Sequence, residues 1–320
     1  MKRRDFLCGA SCLFAGFALG HFSNKNKQET LFKKEDFYEI NGLGGLTVAV
    51  SSHCNLNCKN CDVYAPLAKE EFVTYEQFSK DMEKIKELAP DREISFAFMG
   101  GEPLLNPDLT KIINKSVELF PNSEKTILTN GILLDKMSDD FWDVVKISNM
   151  DFGITKYPVD FNMEVIEEKA KKYGFKYHYD IVKSNKLYSL KTREVIDENY
   201  NETEGFDWSQ NILDLKGTQN YIAKRFTCPH RGINVYARGN IYYCYVHAYI
   251  KAFIEYFKVD IPITKEDYIK IADVNDIKEI DDFLSTPKPL CRYCKQCHNT
   301  CYGGEPLEWG FSKREITEWT

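Results

Sequence analysis

Cys54, Cys58 and Cys61 fall within eight residues, spaced C-x3-C-x2-C in "HCNLNCKNCD". Thiolates at this spacing suit a metal or an iron–sulfur centre, and three are one short of a closed tetrahedral set or a fully ligated cube. Two readings follow. Either a distant side chain closes a structural zinc site, with His53 the nearest candidate, or the fourth position is left open for something other than protein. Six more cysteines follow residue 227. Cys228, Gly239 and Cys244 make C-x10-G-x4-C, and Cys291, Cys294, Cys297 and Cys301 make C-x2-C-x2-C-x3-C. An oxidised secreted domain usually spreads its cysteines along a disulfide framework, whereas triplets and C-x2-C pairs point to thiolate ligation of metal. The last four could form a zinc knuckle by themselves, which would strand Cys228 and Cys244.

These residues need a scaffold, and the chain alternates strand and helix signals from residue 46 onward. β-rich runs at 46–52, 94–102, 125–131, 150–158 and 175–182 alternate with helical patterns. Tyr75, Phe78, Met82, Ile85 and Leu88 recur at helical spacing behind a Thr74–Gln77 capping box. Asp108 caps a second helix, Ser138 a third, and Gly174 closes a fourth over 163–173. Alternation of this kind predicts a parallel sheet with right-handed crossovers, with its chemistry at the C-terminal strand ends. The cysteine loop, Gly100-Gly101-Glu102 and Thr129-Asn130-Gly131 all sit at such ends, although the last also reads as an ordinary turn. Near the C-terminus, "INVY" and "IYYCYV" around Arg238-Gly239-Asn240 read as a hairpin, and 276–284 as a helix.

The first cysteine set, followed by Gly100, Gly101 and Glu102 at the end of the second strand, resembles the radical S-adenosylmethionine (AdoMet) enzymes over roughly residues 45–185. That resemblance implies a partial (β/α)6 barrel. It also implies a [4Fe–4S] cluster on Cys54, Cys58 and Cys61 whose open iron takes the amino and carboxylate groups of AdoMet. Gly100, Gly101 and Glu102 would meet the methionine end, with Thr129 and Asn130 on the nucleoside side. A deoxyadenosyl radical would then take a hydrogen atom from a substrate. The chain departs from the family pattern at Asn60, where an aromatic residue often precedes the third cysteine. The hairpin cysteines followed by C-x2-C resemble the twitch and SPASM auxiliary-cluster domains. This implies a second [4Fe–4S] cluster on Cys228, Cys244, Cys291 and Cys294, for electron acceptance or substrate positioning. The full SPASM spacing is not met, so Cys297 and Cys301 receive no role.

The remaining expectations concern organisation and partners. Residues 1–22 have a basic start, an apolar run and a small-residue end, the layout of a twin-arginine-type export signal or an anchor. Residues 23–44 read as a linker, 45–205 as the core and 206–320 as a small α+β auxiliary domain. A net charge of −6 gives no support for a nucleic-acid partner. The runs "CDVYAPLAKE" and "GGEPLLNP" resemble a radical AdoMet branch found near cell-surface polysaccharide genes. This favours a sugar or other small polar substrate, with a peptide next. AdoMet and a one-electron donor such as a flavodoxin place the chemistry in the cytoplasm or at the cytoplasmic membrane face, where the N-terminus could tether the chain. The alternative to an enzyme is an iron–sulfur electron carrier or a zinc-stabilised binding protein. Asp62, Tyr64 and Tyr245 neighbour the cysteines without a readable role, and no general acid or base stands out.

Overall fold

The computed structural model describes residues 42–206, 210–228, 230, 232–298 and 307–320. The signal-like segment of residues 1–22 lies outside them. Five strands run in sequence order through one parallel block: β1 (Gly45–Ser51), β2 (Ser95–Gly100), β3 (Lys125–Thr129), β4 (Asp151–Lys156) and β5 (Lys176–Ile181). They alternate with α1 (Tyr75–Leu88), α2 (Leu109–Leu119), α3 (Asp139–Ser148) and α4 (Glu164–Tyr173). The fold is α/β, as the alternation predicted.

The helix starts are set by local chemistry. Thr74 accepts from the Gln77 N–H and Ser138 from the Phe141 N–H. The Gln77 side chain does not return to Thr74 but donates to Asp81 at 2.8 Å, so only half of the expected capping box forms. Asp108 precedes α2 without capping it; its carboxylate accepts from the Tyr75 N–H instead and ties the starts of α1 and α2 together.

Strand alternation splits each strand between two environments. Leu46, Val48, Phe96, Phe98, Ile127, Phe152 and Ile154 face the helices in one apolar core with Phe78, Met82, Ile112 and Trp142. Each fully buried side chain of this size contributes about 1.5–3 kcal/mol. The opposite face carries Thr47, Ala49, Ala97, Met99, Leu128, Gly153 and Thr155. Several of these are small, and the space they leave becomes a cavity.

The C-terminal region joins the same sheet. After the two-stranded β6 (Leu187–Tyr188) and β7 (Val195–Asp197) come β8 (Gln210–Leu213) and α5 (Tyr221–Thr227). The hairpin β9 (Val235–Ala237) and β10 (Asn240–Tyr242) turns at Arg238 and Gly239, both at positive φ as a two-residue hairpin requires. β9 lies parallel to β1, and β11 (Tyr268–Lys270) extends the sheet beyond β10, giving the order β11-β10-β9-β1-β2-β3-β4-β5. The sixth parallel strand therefore comes from downstream of residue 205 and sits beside β1. Its sequence expectation needs one correction. "IYYCYV" is not a continuous strand: β10 ends at Tyr242, and α6 (Tyr245–Phe257) begins just after Cys244. Dense aromatic residues gave this stretch a strand appearance, but the backbone turns helical at Tyr245; residues 245–250 are all buried, and Lys251 and Glu255 mark the exposed side of α6. α7 (Ile277–Ser285) opens with a complete Asp276–Glu279 capping box, and β12 (Cys294–His298) pairs with β8.

Candidate active site

The loop after β1 is held in an unusual backbone shape. Asn57, Asn60 and Tyr64 all have positive φ, at 67°, 58° and 52°. Asparagine tolerates this region better than most residues, which accounts for its use beside two of the three cysteines. At position 60 the side chain also donates to the Glu318 carbonyl. The residue that departs from the family pattern thus fastens the loop to the C-terminal segment.

That segment forms a strap. Lys59 N donates to Gly310 O at 2.8 Å, Ser312 N to Asn57 O at 2.9 Å, and Trp319 Nε1 to Cys61 O at 3.0 Å. The Trp309 side chain packs with Cys58 and Leu56. Sequence analysis missed this strap. The two tryptophans in "WGFSKREITEW" were the available signal, since such large side chains at a chain end are rarely left in solvent.

Cys54, Cys58 and Cys61 lie close enough to interact electrostatically with one another. Burial pushes the Cys54 thiol up to about 12 and Cys61 to about 11, and holds Cys58 well above its ordinary value. Opposing this, N–H groups point at the sulfurs: Leu56 N reaches Cys54 Sγ at 3.4 Å, and the backbone of residues 63–65 serves Cys61. Buried thiols ringed by N–H donors suit ligands that become thiolates only when a cationic centre binds. His53 is not the missing fourth ligand. Its ring nitrogens face Ser51 at 3.4 Å and Glu70 at 3.8 Å. Among the described residues no three His, Cys, Asp or Glu side chains converge tightly enough for a single metal ion. The cysteines border open space instead.

That space is a cavity of about 170 Å³. Cys54 and Cys61 line it together with Gly100, Gly101, Thr129 and Asn130, so six of the predicted site residues meet there. Thr155, Tyr157, Asp62 and Tyr245 also line it. The glycines have a reason that the sequence did not show. A Cβ on Gly100 would stand 2.2 Å from Ser51 O, and one on Gly101 2.1 Å from His53 O. Only glycine lets the end of β2 close on the cysteine loop, where Gly101 N and Glu102 N donate to Ser51 O and His53 O.

Glu102 does not line the cavity; it is fully buried behind it. One carboxylate oxygen accepts from Thr129 Oγ1 at 2.6 Å and Leu104 N at 3.1 Å, the other from Asn130 N at 3.0 Å. Burial still raises its pKa to about 7, against these three donors. Asn130 donates to Asn55 at 2.8 Å and faces Cys54 Sγ at 3.7 Å. Glu102, Thr129 and Asn130 therefore form a buried knot fastening β2, β3 and the cysteine loop, and the expected contact of the Glu102 carboxylate with a cofactor is replaced by this positioning role.

The second group also meets. Cys228, Cys244, Cys291 and Cys294 line one small enclosed cavity with His230 and His247. Each of the four lies within electrostatic reach of the other three. Cys244 stands at the N-cap of α6, where the His247 N–H points at its sulfur, and His247 Nε2 lies 3.5 Å from Cys291 Sγ. The C-x2-H spacing from Cys244 was a sequence signal for His247 that went unread. Cys297 lies in β12 opposite Asn211, and Cys301 is outside the described residues. Tyr64 joins the two groups: its buried phenol is within electrostatic reach of Cys61 on one side and of Cys244 and Cys294 on the other.

Comparison with known proteins places this geometry. Residues 48–185 match the family model for the radical SAM superfamily. The chain is similar to GTP 3′,8-cyclase of Clostridium acetobutylicum, at 35% identity over 97 residues covering 30% of each chain. It is also similar to the enzyme of that name from Staphylococcus saprophyticus, at 29% identity over 105 residues, 31% of this chain and 30% of the other. The chain thus spans about a third of the length of these curated relatives. Among solved structures it is similar to BtrN in complex with AdoMet and 2-DOIA, with a TM-score of 0.46 and 16% identity over 79% of this chain and 93% of that one. It is similar too to anSMEcpe with bound AdoMet, with a TM-score of 0.44 and 16% identity over 78% and 82%. Among the described residues no helix is long and apolar enough to cross a membrane. Residues 48–185 are thus a radical SAM domain, the domain of a superfamily of enzymes that work with a [4Fe–4S] cluster and AdoMet.

Proposed function

We propose that Cys54, Cys58 and Cys61 hold a [4Fe–4S] cluster, and that the chain uses it with AdoMet to take a hydrogen atom from a sugar or similarly small polar substrate. When bound, the cluster supplies a low-potential electron and an open iron, the requirements for reductive cleavage of AdoMet. One observation carries this reading: Cys54 and Cys61, with Cys58 within electrostatic reach of both, border the same cavity as Gly100, Gly101, Thr129 and Asn130. Around it, the Leu56 N–H stabilises charge on the Cys54 sulfur, and the Glu102 knot fixes the distance between loop and strand ends. Asp62 lines the cavity, and its described lining includes no lysine or arginine to meet a triphosphate. The substrate named for the cyclase relatives is therefore not carried over.

In the same reading Cys228, Cys244, Cys291 and Cys294 hold a second [4Fe–4S] cluster, the electron comes from a flavodoxin-like donor, and residues 1–22 tether or export the chain. The convergence of four thiols on one small cavity supports the second cluster. The test is anaerobic reconstitution followed by reduction in the presence of AdoMet. Formation of 5′-deoxyadenosine and about eight irons per chain are expected. Stoichiometric zinc without cluster absorbance overturns the reading.

A further inference from the structure

The strap does more than touch the cysteine loop. Residues 310–312 run antiparallel to 57–59: Lys59 N donates to Gly310 O, Ser312 N to Asn57 O, and Asn57 Nδ2 to Ser312 O at 3.3 Å. Phe311 therefore stands directly opposite Cys58. Trp309 and Cys58 belong to one buried apolar cluster, against which Cys54, Cys61, Tyr157 and Phe311 also pack. The Trp309 ring lies 5.6 Å from Tyr157, 5.3 Å from Tyr188 and 5.2 Å from Phe311, tilted or edge-on as aromatic pairs prefer. At the other end of the strap, Trp319 donates to Cys61 O and lies among Tyr64, Phe253 and Phe257, with ring centroids 6.2–6.4 Å away.

This packing divides the triplet. Cys58 is buried at 6% exposure, whereas Cys54 and Cys61 are half-buried and line the cavity. Position 60 shows why the covering rings come from so far along the chain. An aromatic residue often stands there in the family, but here φ is 58°, a region that costs an aromatic side chain more than asparagine. Asn60 is itself buried and donates to Glu318 O, so the place where the loop could carry its own ring fastens the strap that carries two. The strap is also anchored away from the loop. Tyr188 Oη donates to Trp309 O at 3.1 Å, and Leu213 N to Trp319 O at 2.7 Å.

We infer that the strap is the apolar cover of the first cluster: Trp309 and Phe311 exclude water on the Cys58 side, while the cavity stays open on the Cys54 and Cys61 side. The inference rests on the proposed function for the presence of that cluster, and it adds what keeps the cluster strongly reducing. Reduction adds negative charge to a centre that already carries three thiolates. Apolar surroundings stabilise that charge less than water does, so a dry shell lowers the potential. Trp309 and Phe311 are in this sense positioning residues, acting through the surroundings of Cys58.

The test uses the full chain in two states. In the metal-free state it is treated with iodoacetamide, and the labelling rate of each cysteine is read by peptide mass spectrometry. In the wild type Cys58 is expected to label roughly tenfold more slowly than Cys54 and Cys61. W309A is expected to raise the Cys58 rate about tenfold, F311A about threefold, and W309F less than about twofold because it keeps a ring, with Cys54 and Cys61 unchanged in all three. In the reconstituted state the first cluster is titrated by EPR without AdoMet. W309A is expected to make its reduction about tenfold more favourable, a rise of about 59 mV for one electron, with the second cluster unmoved and W309F close to the wild type. F311A, at a half-buried position, decides by the same readings where W309A does not fold. Equal labelling of Cys58 and Cys54 in the wild type, or rates and potential unchanged in both W309A and F311A, overturns the inference. A wild type that forms no cluster sinks the proposed function and leaves the labelling result standing, so the two failures are distinguishable.

Discussion

Cys54, Cys58 and Cys61 come from one loop of eight residues, whereas Cys228, Cys244, Cys291 and Cys294 come from three separate places in the chain. Their surroundings differ as much as their origins. Cys54 and Cys61 of the first group border a cavity of about 170 Å³ shared with two glycines and the ends of β2 and β3. The second is enclosed by its own cysteines, two histidines and apolar side chains from α6 and the 289–293 turn. On the proposed assignment, three ligands beside open space leave a coordination position for a reactant, and four ligands in a closed pocket leave none. The comparison teaches that coordination number and access change together. The open group must be shaped by neighbours that do not ligate, such as the Glu102 knot and the C-terminal strap, while the closed group needs only its own convergence.

The largest test of this difference is C58A in the reconstituted, reduced chain. Formation of 5′-deoxyadenosine is expected to fall to the no-enzyme background, and measurable turnover would break the distinction between the groups. The double variant C228A/C244A is expected to lower iron from about eight to about four per chain while leaving AdoMet cleavage in place. Loss of both clusters in that variant would mean that the two groups form as one unit through Tyr64.

Smaller effects sharpen the role of the non-ligating neighbours. G101A puts a Cβ 2.1 Å from a backbone carbonyl that cannot rotate away, and roughly 3 kcal/mol or more of lost stability is expected in urea titrations. Unchanged stability would show that β2 and the cysteine loop can separate. Glu102 gives a pH signature. Its folded pKa is raised by burial from 4.5 to about 7. Its contribution to stability is therefore full below about pH 4.5 and is lost as pH rises towards 7, by up to roughly 3 kcal/mol for a shift of this size. E102Q is expected to flatten that slope in the metal-free chain; an unaltered slope would place the titration elsewhere. N60A removes both the hydrogen bond to Glu318 and a residue suited to positive φ, and about 1–2 kcal/mol of lost stability is expected by thermal unfolding.

Much of the core was legible because it is encoded locally. Phe78, Met82 and Ile85 share a helix face by spacing alone, and Leu46, Val48, Phe96 and Phe98 alternate with small lumen residues. The C-x3-C-x2-C loop likewise declares its chemistry within eight residues, since loop length alone keeps its thiols together. Strand-end placement of Gly100, Gly101, Thr129 and Asn130 followed from the same alternation. What the glycines and Glu102 do there did not follow, because backbone approach to Ser51 and His53 is a contact between strands about 50 residues apart. α6 was hidden because its first six residues, 245–250, are all buried and read as one apolar run, while the exposed Lys251 and Glu255 that mark its outer side come later. Only the tertiary structure brought residues 309–319 onto the cysteine loop and seated β9 against β1. Each of these depends on hydrogen bonds and packing between residues distant along the chain. A linear sequence states which groups are present at each position, but the neighbours that satisfy or fail to satisfy them are fixed only when the strands take their register.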